Sequence, residues 1–201
     1  LYNDASWAVR YVDSRDYGPD GQEKTRYQGG ASAWAENMDL MFTFRGIPCI
    51  YYGSEIEFKK DVPIDVGPNA PLDKTGRAYF GDHLEGSVTA SDYGKYTASG
   101  TVASTLDAPL SKHLEKLNQI RRAVPALQKG QYTTDSNYVD GNMAYIRRYT
   151  NSSVDSLACV TISGDATFKG LPSGTYIDAV TGDKKVVTDG TLSTSGASGQ
   201  G

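Results

Sequence analysis

Residues 47–52 read IPCIYY, six positions without a charge. A run this apolar, with RG before it and GSE after it, fits a strand covered on both faces, as in a parallel sheet. Just upstream, residues 31–44 read ASAWAENMDLMFTF. There Trp34, Met38, Met41 and Phe42 recur at the three-and-four spacing of one helix face. Earlier still, residues 7–13, WAVRYVD, read as a strand closed by an acid. Strand, helix, buried strand is the order of a βαβ unit. One such unit is no core, because a parallel sheet needs further strands and helices on both faces. The first 125 residues therefore read as the tail end of a larger α/β domain. The opening, LYNDASWAVR, has no initiator Met and no signal peptide, and it reads as the interior of a longer protein.

Composition excludes some partners. The chain has 201 residues, which suits one or two domains. Its net charge is −4, and no basic block is present that could neutralise several phosphates. Nucleic acid is excluded as a partner on that ground. No apolar run approaches the roughly 18 residues of a membrane span. Cys49 and Cys159 each sit in an apolar run, so buried free thiols are expected. His83 and His113 are too few and too far apart to argue for a zinc site.

The rest of the chain divides by texture. Residues 56–109 are rich in Asp, Gly, Pro and Thr and hold no period, which predicts long functional loops or a small inserted subdomain. Residues 110–124, LSKHLEKLNQIRRAV, predict a helix. Its stripe runs through Leu110, Leu114, Leu117, Ile120, Arg121 and Val124, with Ser111 as a candidate cap and Pro125 ending or kinking it. After residues 129–130 come NMAYIRRYT, SLACVTI, TYIDAVT and KKVVTDG, split by turn-forming clusters. They predict a separate antiparallel all-β domain. The tail GTLSTSGASGQG reads as a loop or a linker.

Four stretches together resemble the closing part of the α-amylase family, glycoside hydrolase family 13. YVDSRD at 11–16 is similar to the family's strand-seven motif, usually Phe-x-x-Asn-His-Asp. MFTFRGIPCIYYGSE at 41–55 is similar to its strand-eight signature. LDKTGR at 72–77 resembles the Asp-x-x-Asn-Arg pattern beyond strand eight. LNQIRRAVPALQKG at 117–130 resembles the last barrel helix. The resemblance implies an α/β plus all-β chain: the tail of a (β/α)8 TIM barrel over 1–128, holding strands seven and eight, then an antiparallel β-sandwich domain over 129–201. The family's nucleophilic Asp and acid/base Glu follow strands four and five. A complementary chain or fragment carrying barrel strands one to six is therefore an expected partner.

The resemblance places Asp16 on the family's third catalytic acid, a transition-state stabiliser. An acid at the C-terminal end of a barrel strand points into the active-site mouth. There a carboxylate can hydrogen-bond sugar hydroxyls and hold a distorted ring. Arg15 stands where the family usually has His, and could donate to a sugar hydroxyl or pair with a neighbouring acid. Asp73 and Arg77 resemble a donor-side substrate-binding pair, the Arg bracing the Asp, although Gly76 replaces the usual Asn. Asp13 reads as a buried hydrogen-bonding acid at the strand end. Tyr51 and Tyr52 read as packing residues. Tyr17, Tyr27, Tyr79, Phe80, Tyr93 and Tyr96 are candidate aromatic faces for glucose units.

The function so implied is part of a retaining enzyme acting on α-glucosidic bonds of starch-like or cyclic glucans. The altered SRD and the long 56–109 segment favour a glucanotransferase or a specialised hydrolase. An ordinary endo-acting α-amylase is one alternative, and a noncatalytic carbohydrate-binding or scaffold fragment is another. The expected ligand is an α-glucan oligosaccharide or cyclic glucan, and the expected location is secreted. No cofactor or metal site is identified in the chain, although the resemblance allows calcium in the complete enzyme through residues upstream.

Overall fold

The computed structural model describes residues 7–16, 24–92 and 94–195. Two compact units interleave along the sequence. The first comprises Leu1–Ala8, Ala35–Ile47 and Lys116–Gly201; the second comprises Val9–Trp34 and Pro48–Glu115. Among the described residues there is no closed barrel.

The strand expected over 7–13 shortens to β1 (Val9–Arg10). Helix α1 spans Ala31–Thr43, and β2 covers Ile47–Pro48. β1 pairs with β2. The Ile47 amide donates to the Ala8 carbonyl and the Cys49 amide to that of Arg10, so donors and acceptors advance in the same sense. Of α1, Trp34, Met38, Met41 and Phe42 are all buried, as the spacing requires. The covering expected for IPCIYY is not found: Ile47 and Cys49 are exposed, as are Trp7, Val9 and Tyr11. Among the described residues these two-residue strands pair only with each other.

The expectation of an irregular 56–109 segment is corrected. It contains an antiparallel hairpin, β3 (Ser87–Asp92) with β4 (Lys95–Ser99), followed by helix α2 (Thr101–Asp107). The side chains of the hairpin are mostly exposed, so no hydrophobic period marks it. Gly86 closes the hairpin's base. Its φ is +123°, and a Cβ there would lie 1.9 Å from the Ser99 carbonyl oxygen. Three short 3-10 turns, Ser54–Ile56, Leu72–Lys74 and Gly81–Leu84, carry much of the remaining path.

Helix α3 spans Pro109–Ala123. It begins on Pro109, so Ser111 lies inside it; the Ser111 hydroxyl donates to the Glu55 carbonyl instead of capping. Pro125 ends α3 and opens α4 (Pro125–Lys129), where its fixed φ and missing N–H suit the first helical position.

Among the described residues beyond 130, every regular element is a strand. β5 (Gln131–Thr133), β7 (Ala144–Thr150) and β8 (Asp155–Thr161) form one antiparallel sheet in the order β5-β7-β8. β6 (Val139–Gly141), β9 (Ala166–Phe168) and β12 (Leu192–Thr194) form another in the order β12-β9-β6. β10 (Gly174–Ile177) and β11 (Lys184–Val187) pair as a hairpin. The tail read as loop or linker thus supplies a strand, Leu192–Thr194, while its last residues lie outside the described part. Val139, Ala144, Ile146, Ala166, Phe168, Leu171 and Val187 make the core, with Leu157, Cys159, Tyr176 and Leu192 against it.

β7 is buried on both faces over Ala144–Arg147. Ile146 enters the core, whereas Tyr145 and Arg147 serve the C-terminal end of α1. Arg147 Nη1 donates to the carbonyls of Thr43, at 2.8 Å, and Phe44, and Nη2 donates to that of Gly130 at 2.8 Å. Arg121 Nη1 donates to the Phe42 and Leu127 carbonyls and Nη2 to that of Gly46. The last carbonyls of a helix have no partner within it. Two arginines far along the sequence supply those partners, which explains the one polar residue in the α3 stripe.

Candidate functional site

The strand-end motif folds through its own side chains. Asp13 Oδ1 accepts from the Ser14 amide at 3.1 Å, and Ser14 Oγ accepts from the Asp16 amide at 3.1 Å. The serine where the family motif has Asn therefore still turns the chain by a local side-chain-to-backbone bond. Asp13 points inward and Asp16 outward.

Asp13 meets Arg26, which the sequence reading passed over. Arg26 Nε donates to Asp13 Oδ2 at 2.6 Å, and the two side chains are 1% and 3% exposed. Arg26 Nη1 and Nη2 donate to the carbonyls of Gly76 and Tyr52, each at 3.0 Å. Its guanidinium lies 4.6 Å from the centre of the Tyr51 ring. Ser54 Oγ donates to Asp13 Oδ2 at 3.3 Å, and Trp34 Nε1 donates to the Ser54 carbonyl. One buried cation thus ties the strand-end acid to the YYG turn and to the LDKTGR segment. Its fork geometry, with five donors fixed in a plane, lets it do so. The Asp13 reading is met. Tyr51 and Tyr52 pack, as expected, and burial with the Tyr52 hydrogen bond pushes the Tyr51 hydroxyl up to about 12. It remains a neutral phenol across the physiological range.

Gly76, unexpected in place of Asn, has a local cause. A Cβ there would lie 2.6 Å from Arg26 Cγ. The buried arginine occupies the space a side chain would need.

Arg77 follows directly and reaches the outer acid. Its Nη2 lies 3.2 Å from Asp16 Oδ1, its Nη1 3.4 Å from Asp65 Oδ2, and its Nε donates to the Arg15 carbonyl at 2.9 Å. The expected Asp73–Arg77 pair is therefore corrected. Asp73 sits exposed, with Lys74 Nζ at 3.3 Å, and its carbonyl accepts from Lys59 Nζ. Asp73 lies in the 3-10 turn Leu72–Lys74, whereas Arg77 is turned toward Asp16 by the buried Thr75 and by Gly76. Asp65, which the sequence reading did not select, is the second acid that Arg77 reaches. The Gly67 amide first, and Arg77 after it, hold the Asp65 carboxyl below its ordinary range.

Arg15 is exposed, and its Nε lies 3.6 Å from Asp16 Oδ1. Both cations therefore address one oxygen of Asp16. Among the described residues the other oxygen, Oδ2, accepts no hydrogen bond, and the side chain is 57% exposed. The arrangement presents a carboxylate braced on one side and open on the other. An open carboxylate oxygen can accept from sugar hydroxyls. Of the candidate aromatic faces, Tyr79 is exposed and Phe80 is buried, while Tyr17 and Tyr93 lie outside the described residues.

Among the described residues no three His, Cys, Asp or Glu gather around a common point. The two acids that do converge, Asp16 and Asp65, share a guanidinium instead.

No family model matches the chain, and no curated protein matches it. Solved structures do. The chain is similar to an α-amylase from Geobacillus thermoleovorans solved with acarbose, at 17% identity and a TM-score of 0.55, covering 96% of this chain and 38% of that one. It is also similar to an Anoxybacillus α-amylase (16% identity, TM-score 0.49, 84% and 30% covered) and to a gamma-CGTase from alkalophilic Bacillus clarkii (16%, 0.47, 96% and 25% covered). The chain spans well under half the length of each. The Geobacillus likeness shows that the chain takes the fold of a portion of an α-amylase.

Proposed function

We propose that this chain is the closing part of a retaining α-glucan-active enzyme of the α-amylase family, a glucanotransferase or a specialised hydrolase. In that reading residues 1–128 end a catalytic (β/α)8 barrel and 129–201 form a β-sandwich domain. A polypeptide carrying strands one to six supplies the nucleophile and the acid/base, and the complete enzyme is secreted. The observation that carries the reading is the open Oδ2 of Asp16, on a carboxylate braced by Arg77 and Arg15 at the strand end. Fold likeness and the four motif stretches support it.

In this mechanism the covalent glycosyl-enzyme forms and breaks through a state with oxocarbenium character. Asp16 accepts hydrogen bonds from hydroxyls of the distorted sugar, and these tighten as positive charge develops on the ring. Only contacts stronger in the transition state than in the ground state raise the rate. Arg77 and Arg15 hold the carboxylate in its orientation, so Oδ2 meets the sugar without reorganising. Water or a second sugar hydroxyl resolves the intermediate, giving hydrolysis or transfer.

The test is Asp16→Asn in the complete enzyme, with products from maltooligosaccharides and cyclic glucans resolved by chromatography. The expected loss in kcat is at least ~100-fold, with the circular dichroism spectrum unchanged. Near-normal turnover in that variant overturns the assignment.

A further inference from the structure

Asp65 is the one acid of the candidate site to which the proposed mechanism gives no task. Its position is nonetheless well fixed. It follows Ile64, which is 1% exposed. The Ile64 amide donates to the Lys24 carbonyl at 2.6 Å, and the Gly76 amide donates to the Pro63 carbonyl at 2.8 Å. The backbone that carries Asp65 is therefore tied both to the segment of Arg26 and to the segment of Arg77. The side chain is held as well. Asp65 Oδ1 accepts from the Gly67 amide at 2.9 Å, a local turn bond of the kind aspartate favours. That bond leaves Oδ2 facing Arg77 Nη1 at 3.4 Å.

Arg77 uses its three nitrogens on three different partners. Nε donates to the Arg15 carbonyl, Nη2 to Asp16 Oδ1 at 3.2 Å, and Nη1 to Asp65 Oδ2. A guanidinium beside a single carboxylate favours a two-pronged grip, because two parallel charge-assisted bonds form together. Arg148 does this in the same chain, with Nε and Nη2 on the two oxygens of Asp155 at 3.0 and 2.8 Å. Arg77 grips Asp16 by one nitrogen on one oxygen. Among the described residues, Arg77 differs from Arg148 in having a second carboxylate within ion-pair distance.

We infer that Asp65 is a positioning residue for Asp16. It draws off Arg77 Nη1, which stops the guanidinium from closing on both oxygens of Asp16 and leaves Oδ2 open. The charge balance acts in the same direction. Two acids, Asp16 and Asp65, face two guanidiniums, Arg15 and Arg77. Without Asp65 the cluster gains a positive charge, which disfavours a sugar ring that is itself becoming positive. What the open oxygen does for the reaction rests on the proposed function; how it is kept open rests on the geometry of Arg77.

The test is a double-mutant cycle in the complete enzyme between Asp65→Asn and Arg77→Ala, reading kcat and KM on maltooligosaccharides. Asparagine keeps an oxygen for the Gly67 amide and removes the charge that attracts Arg77. Asp65→Asn is expected to lower kcat ~5-fold, the scale of an exposed ion pair, with KM within ~2-fold of wild type. Added to Arg77→Ala, the same substitution is expected to change kcat by less than ~2-fold, because no guanidinium remains there to close on Asp16. Asp65→Glu, which keeps the charge, is expected to stay within ~2-fold of wild type. A second readout needs no turnover. In the 201-residue chain at neutral pH, Asp65→Asn is expected to move the carboxyl carbon resonance of Asp16, and to leave it in place when Arg77 is already alanine. Unchanged kcat in Asp65→Asn, beside the expected loss in Asp16→Asn, overturns the inference and leaves the function standing. An Asp16 resonance that Asp65→Asn does not move also overturns it. So does a kcat loss of the same size in both backgrounds, since Asp65 then acts through stability or through its own contact with the sugar. Near-normal turnover in Asp16→Asn overturns the function instead; the sharing of Arg77 then stands if the resonance moves and falls if it does not.

Discussion

At the residue scale, two ion pairs of equal formal charge have unequal weight. Arg26 and Asp13 are almost wholly buried, whereas Arg77 and Asp16 are substantially exposed. Removing one partner of a buried pair leaves the other charge in a poor solvent and costs about 3–5 kcal/mol. Asp13→Ala is therefore expected to lower the Tm of the chain by roughly 10 °C. Calorimetry showing a shift under about 2 °C would mean that Arg26 finds other partners. Arg26→Lys retains a charge but cannot reach Asp13, Tyr52 and Gly76 together, so it falls between wild type and Asp13→Ala. Arg77 acts on the titration of Asp65 more than on stability. The Asp65 carboxyl is lowered first by the Gly67 amide and then by Arg77. A lowered carboxyl contributes stability above its unfolded value and loses it as pH falls through the lower folded value, so the window lies below about pH 4. Carboxyl NMR of Arg77→Ala is expected to show Asp65 titrating higher than in wild type yet still below an ordinary aspartate. A complete return to the ordinary value would remove the Gly67 amide as the main cause. None of this was legible in order along the chain. Arg26 sits in a polar loop 13 residues from Asp13 and 50 from Gly76, and nothing local marks it.

At the element scale, α1 ends on groups supplied by β7 and α3. The carbonyls of Phe42, Thr43, Phe44 and Gly46 accept from Arg121 and Arg147. Thr43 Oγ1 and the Tyr145 hydroxyl are 2.6 Å apart, and burial pushes the Tyr145 hydroxyl up to about 12. Arg147→Met keeps much of the volume and removes the donors. Each orphaned buried carbonyl costs about 1–3 kcal/mol, so the variant is expected to lose at least ~3 kcal/mol in urea unfolding. A loss below about 1 kcal/mol would show that water reaches those carbonyls. The helix itself could be read from its apolar spacing, and so could β7, β8, β10 and β11 from their branched runs. β5, β6, β9 and β12 could not, because strands of three residues carry too few alternations to show a period. The hairpin of β3 and β4 escaped for another reason: with most side chains in water, it has no buried face to signal.

At the scale of the whole molecule, the two cysteines separate. Cys159 is packed against the all-β core, and burial pushes its thiol up to about 12. Cys49 is exposed, against the expectation that its apolar run would bury it. A disulfide reagent at pH 8 is expected to label one thiol in the native 201-residue chain and two after denaturation, since the thiolate is the reacting species. If a polypeptide carrying the remaining barrel strands docks as proposed, the fast thiol should slow by ~10-fold or more on assembly. Unchanged labelling in the assembled enzyme would remove β2 from a covered sheet. What the sequence by itself determined is the kind of surface each segment needs: an apolar stripe on α1, an apolar run at IPCIYY, an all-β texture after residue 130, and an acid at the strand end. Those follow from local spacing and composition, which neighbouring residues carry. Only the tertiary structure decided which charges are paired. It joined Arg26 to Asp13 and moved Arg77 from Asp73 to Asp16 and Asp65. The reason is physical: a guanidinium reaches several ångströms and donates to any oxygen the fold places there, so its partners depend on how distant segments meet and leave no mark in their own sequence.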